Sequence, residues 1–460
     1  MKHSQLEDYV SAVSLMLKMN PAMIALAKRN PTFPKAEKLA VVSIADADSL
    51  VSALRAHDNY AGLVPDWKFV FASTHGATPG LAVSRTFSDG AVVRGLFATD
   101  HVFVLDGETM ESMKDGDTAI IPIDYSISLD TQALSYLTPY LEGNKSKIPR
   151  DFDEIFSFLA KDCVNVDPVP YMTENLPNIL SEKNVPKIRR RLNGYEMLRT
   201  IDEPHFRSTK VIRSTLDDRT FKRNVDEHVA RMLHDASDSE LMGSLNCRHA
   251  CVYATLLKMA IIQIGDPRRL LSSKLEEFME FMDHEMQTIF ARETVIAEKY
   301  FRAGQNLKFF GRLQRSSESN LPKVLRAAKN MAWDFLHIRN IEDQARHTMT
   351  TLYQGKTKPR YFFPSFLTTD KDFIEVIDAY PLKSYAYETK TGRLNLFPAL
   401  NWHSIVAGEP GREEGIKSRF FSDGVVRRRE LKRNSALERI HETVRKLEVE
   451  FREVVTATRR

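Results

Sequence analysis

Ile127-Ser128-Leu129-Asp130-Thr131-Gln132-Ala133-Leu134-Ser135-Tyr136-Leu137 changes its hydrophobic period in the middle. Up to Leu129 the pattern is that of a strand, and from residue 131 to 141 the apolar positions take helical spacing. Asp130 sits at the junction, where an aspartate makes a good helix cap. A second stretch repeats the arrangement. Residues 361–369 read as a strand, Asp370 follows, and 372–379 read as a short helix. Ligands of open α/β sheets bind outside the carboxyl ends of the strands, so two acids at such ends can converge on one site. Each aspartate alone is equally well explained as a cap.

Between these stretches, residues 186–320 read almost wholly as helix, and 321–349 as one long helix. Apolar residues at 324, 327, 328, 331, 335, 338 and 341 form one stripe, and Asp334 lies on it. A carboxylate on a core-facing stripe is expensive unless it is paired or bound to a cation. A salt bridge to Arg or Lys is the plainer account of Asp334 taken by itself.

The order of elements predicts an α/β protein whose core is interrupted by a helical insertion, which loop-closure entropy tolerates. Upstream, residues 1–30 read as a helix ended by Pro31 and Pro34. Residues 40–44, 67–71 and 101–105 read as strands. The expected division is an N-terminal α+β module (1–119), a core (120–185 with 322–385), a helical insertion (186–321) and a C-terminal extension (386–460) carrying an amphipathic helix.

Composition adds bounds. The chain has 460 residues, 43% hydrophobic, with 65 Lys and Arg against 61 Asp and Glu, a formal net charge of +4. That is ordinary globular composition, and the charge permits a polyanionic partner without demanding one. Three cysteines, Cys163, Cys247 and Cys251, imply no disulfide framework. The longest apolar window, 250–265, is broken by Lys258 and is too short to span a bilayer. No membrane partner and a cytoplasmic setting are the expectations.

The two strand–Asp–helix stretches resemble motifs of the PIN-domain nucleases. Leu129-Asp130-Thr131 is similar to the family's first motif. Phe366-Leu367-Thr368-Thr369-Asp370-Lys371-Asp372-Phe373 is similar to its last, and Ala332-Trp333-Asp334-Phe335-Leu336-His337 to the preceding acidic helix. The family's second acid is a helical Glu or Asp after the first motif. Glu174 is the natural candidate, with Asp162, Asp167 and Glu182 as competitors.

The resemblance implies a PIN-like parallel sheet core and Mg²⁺ or Mn²⁺ held by Asp130, Glu174, Asp334 and Asp370, with Asp372 as an auxiliary ligand. It also implies cleavage of phosphodiester bonds in nucleic acid, RNA favoured, in a toxin or defence effector. The same fold without catalysis, binding nucleic acid or protein, is the alternative. Thr131 and Thr368 could steady the carboxylates, and His337 could touch substrate.

Other features are weaker. Lys187-Ile188-Arg189-Arg190-Arg191 and the cluster Arg427, Arg428, Arg429, Lys432 and Arg433 could bind phosphates or be solvated faces. Cys247 and Cys251 lie one helical turn apart without a second ligand pair for zinc. His75-Gly76-Ala77-Thr78-Pro79-Gly80 lacks the ending of a P-loop and reads as a turn. Ser435-Ala436-Leu437-Glu438 can form a capping box. The seam Leu437, Ile440, Val444, Leu447, Phe451, Val454 then follows a/d spacing, suited to packing on its own chain or to a homodimer.

Overall fold

A computed structural model describes residues 3–74, 84–99, 101–115, 121, 123–162, 164–314, 320–346 and 361–457. The fold is mixed α/β with two sheets. The first has the order β4-β1-β8-β9, all antiparallel, formed by β1 (Trp67–Ser73), β4 (His101–Leu105), β8 (Leu382–Glu388) and β9 (Leu394–Pro398). The second has the order β2-β3-β7-β5-β6, from β2 (Ser84–Thr86), β3 (Val92–Arg94), β5 (Ile123–Leu129), β6 (Val166–Asp167) and β7 (Tyr361–Thr368).

The parallel character lies in the middle of the second sheet. β5 runs parallel to β7 from Ile123 opposite Tyr361 to Leu129 opposite Leu367, and parallel to β6 on its other side. Every residue of β7 is buried, as expected of a central strand covered on both faces. Pro364 is tolerated there because antiparallel β3 reaches only Phe366, Leu367 and Thr368.

Side-chain alternation separates the two faces of this sheet. Ile127, Leu129 and Leu367 join a core with the helices Thr131–Leu141, Phe152–Leu159, Val169–Ile179, Val185–Arg199 and Asp218–Ser237. Phe366 joins the larger core on the other face, built on the long helix Ser239–Gly265 and the helix Leu321–Gln344. The helices of residues 186–321 therefore pack on both sides of the sheet. The sheets also cross the expected boundaries near 119 and 385. β3 joins β7, while β1 pairs with β8.

Three local expectations are corrected. Residues 40–44 are not a strand but part of the helix Phe33–Ala45, because Phe33, Ala36, Ala40, Val41 and Ile44 together form one buried face. The N-terminal helix ends at Met19, well before Pro31; Pro21 opens a short 3-10 turn and Pro34 lies in the first turn of the next helix. Ser435 does not begin the last helix. It lies inside the helix Asp423–Glu438, and the chain breaks at Arg439 before the helix Ile440–Ala457. The apolar seam of that final helix, with Ile440, Leu447 and Phe451 buried, packs on the Ser239 helix of the same chain. The glycine-rich stretch 75–80 and Cys163 lie outside the described residues.

Candidate active site

Asp130 directly follows β5, Asp370 is separated from the end of its parallel neighbour β7 by one residue, and each opens a helix. Asp130 Oδ1 accepts from the Ala133 amide of its helix. Asp370 Oδ1 accepts from the Asp372 amide at 3.0 Å and the Phe373 amide at 3.3 Å. Both are thus true N-caps, and their proximity follows from strand register.

Asp130 is only 8% exposed. Burial pushes its carboxyl up to about 6 and the nearby Asp370 charge adds to the rise, against hydrogen bonds from Ala133, the Thr368 hydroxyl and Thr369.

Glu174 lies on the helix Val169–Ile179, and its Oε2 accepts a hydrogen bond from the Thr131 hydroxyl. Thr131 directly follows Asp130, so this bond brings the Val169 helix to the same strand end. The Glu174 carboxylate stands 3.9 Å from His337 Nε2, in ion-pair rather than hydrogen-bond range. Burial pushes the Glu174 carboxyl up, but His337 and Thr131 outweigh it and hold the group below its usual range.

Asp334 is half-buried on the Leu321 helix and is engaged by a neighbour. The helix runs against the direction of β7. Ala345 shares a cluster with Tyr361 and Phe363, the His337 ring stands 6.0 Å from Phe366, and Phe335 lies 6.4 Å from Phe373. Asp334, one turn before His337, is therefore level with the carboxyl end of β7. Asp372 is not drawn in. It is exposed, and its amide only completes the Asp370 cap.

Of the competitors for the second acid, Asp167 is half-buried. It accepts from Ser128 at 3.0 Å and from the Val169 amide at 3.0 Å, which ties β6 to β5. Burial raises its carboxyl above the ordinary range despite these bonds. Asp162 and Glu182 sit on turns outside this group.

Among the described residues, no three His, Cys, Asp or Glu side chains stand close enough to hold one ion between them. The oxygen donors nevertheless suit a hard divalent cation in kind, since Mg²⁺ uses one or two carboxylates and keeps several waters. Asp130 and Asp370 form such a pair.

Sequence reasoning did not foresee the ring stack beside Glu174. Tyr253 and His249 of the Ser239 helix lie 6.4 Å apart, His249 and Trp333 4.5 Å, and Trp333 and His337 6.3 Å; the stack ends on Phe366. His249 Nε2 lies 2.9 Å from the Lys329 carbonyl oxygen, and burial holds this imidazole below its usual range. His337 is 3% exposed, and neither ring nitrogen has a hydrogen-bond partner among the described residues. The one available signal was its place one turn from Asp334. Nothing in the sequence marked His249 as its neighbour.

The basic clusters are largely spent inside the molecule. Arg189 pairs with Asp226 and Arg190 with Glu142, while Arg191 donates to the Ser135 carbonyl. Arg428 and Arg429 both donate to the buried Asp283. Cys247 and Cys251 are free thiols, and burial pushes Cys251 up to about 12. Comparison with family models, curated proteins and solved structures finds no match for this chain.

Proposed function

We propose that this chain is a metal-dependent nuclease with a PIN-like core, acting on RNA. The observation that carries this reading is the placement of Asp130 and Asp370 at the carboxyl ends of adjacent parallel strands. The charge of one is felt by the other at a buried position.

Two carboxylates crowded there repel each other, and a divalent cation relieves that repulsion. When bound, the cation supplies charge neutralisation at a phosphate and a more acidic water. Asp130 and Asp370 would hold it. Their caps fix both side chains before anything binds, so little ordering entropy remains to be lost. Glu174, braced by Thr131, would be a further ligand of the cation through a water beside Asp130. Asp334, level with the carboxyl end of β7, would border the site on that side.

A second reading, a non-catalytic scaffold of the same fold, is favoured by the lack of a closed three-donor set among the described residues. One experiment separates the two. Purified protein is incubated with labelled single-stranded RNA and DNA in Mn²⁺ or EDTA, beside D130N, D334N and D370N. The nuclease reading expects cleavage of RNA only with metal, reduced at least 100-fold (on the order expected for loss of a site residue) in D130N and D370N. Cleavage that survives in EDTA or in D130N overturns it. Binding without cleavage supports the scaffold.

A further inference from the structure

The ring stack holds an imidazole, His337, between Trp333 and Phe366. His337 is almost fully buried, and both ring nitrogens lack a hydrogen-bond partner among the described residues. Such groups are rare in native cores, where a phenylalanine of the same shape would pack without that penalty. The ring is clamped between Trp333 and Phe366, so its plane cannot turn freely. Its Nε2 stands 3.9 Å from Glu174 Oε2. His249 on the Ser239 helix is a further ionisable neighbour, felt by both His337 and Glu174, and Asp334 lies one turn before His337 on its own helix. Trp333 separates the two imidazoles, so they do not form a joint ligand set.

We propose that His337 is a positioning residue of this site. Its clamped Nε2 edge and the Thr131 hydroxyl together aim the Glu174 carboxylate at the space beside Asp130. Thr131 holds Glu174 Oε2 from the first turn of its helix, and His337 approaches the same oxygen from the Leu321 helix. Two anchors on separate elements leave the long glutamate side chain one orientation. The functional consequence rests on the metal site proposed above, but the contact itself does not.

The test uses the full chain and three substitutions. H337F keeps a ring in the stack and deletes both nitrogens. H337Q carries an amide nitrogen that reaches the position of Nε2. E174Q removes the charge that is being aimed. Mn²⁺ binding is measured by titration calorimetry and stability by thermal unfolding. H337F is expected to weaken Mn²⁺ binding about 10-fold, the usual effect of losing an outer partner of a metal ligand, while Tm stays level or rises. H337Q is expected to restore binding to within about 3-fold of wild type, because the donor rather than the ring does the aiming.

Unchanged Mn²⁺ affinity in H337F, or equal losses in H337F and H337Q, overturns the proposal. If wild type itself binds no Mn²⁺, the metal reading fails. The positioning claim is then decided by the Tm values of H337F, E174Q and the double variant. Non-additive shifts support it, and additive shifts overturn it.

Discussion

Asp130 stores the tension of the site in one side chain. Its carboxyl is raised to about 6 from an ordinary 3.8, by burial first and the Asp370 charge in addition. A carboxyl raised in the folded state stabilises below its unfolded value, and that contribution is lost as pH climbs through about 6. At neutral pH the metal-free protein therefore carries a penalty on the order of 3 kcal/mol. D130N keeps the capping oxygen for Ala133 and removes the charge. It should raise Tm at pH 7.5 in EDTA and change it little at pH 4.5, measured by thermal unfolding. A lower Tm at pH 7.5 would show that the charged form is welcome there. The residue type and its junction position were legible in the sequence. Its burial was not, because the pattern cannot reveal that the chain at Thr368, Thr369 and Asp370, at the end of β7, comes to lie beside it.

Among the elements, the helices Val185–Arg199 and Asp218–Ser237 are joined by a carboxylate with no exposed surface. Glu196 accepts from Arg199 at 2.7 Å and from Asn224 at 2.7 Å, with His228 at 3.8 Å. Burial would raise its carboxyl, but His228, Arg199 and Asn224 outweigh it and bring the group down to about 2. A depressed carboxyl contributes stability above its ordinary value of 4.5, lost as pH falls towards 2. E196Q should cost about 2 kcal/mol at pH 7, less than a fully buried pair because Arg199 is half-exposed. Urea unfolding at pH 7 and at pH 3 checks this, and the difference should shrink at the lower pH. The sequence showed these segments as charged helices and suggested a phosphate-binding face at residues 187–191. Partner acids from neighbouring elements engage part of that cluster at the surface, as Glu142 does with Arg190, a pairing the sequence could not show. The 40–44 run shows the converse error. Five residues rich in β-branched side chains fit either period, and only the buried face running back to Phe33 chooses the helix.

At the scale of the whole molecule, residues 186–321 are wound into the fold rather than appended to it. The Ser239 helix shares one core with Ala332 and Phe335 of the Leu321 helix, Phe366 of β7 and Phe451 of the final helix. Excising 186–321 and joining the ends with a flexible linker should leave no cooperative unfolding transition, as judged by circular dichroism and calorimetry. Deleting residues 440–457 should expose the same core and make the protein aggregate, because the Ile440 helix covers a long stretch of the Ser239 helix. A soluble, cooperatively folded product in either case would mean that the two layers fold independently.

By itself the sequence determined the strand–Asp–helix junctions at Asp130 and Asp370, the extent of the helix Thr131–Leu141 and the helical character of the middle of the chain. These depend on local period and capping, which act over a few residues. Only the tertiary structure decided that β5 and β7 are neighbours, that Thr131 reaches Glu174, and that the buried His337 imidazole faces the same carboxylate. Those relations join segments far apart in the chain. They are set by which faces must be buried against one another, a condition on the whole chain that no single stretch can express.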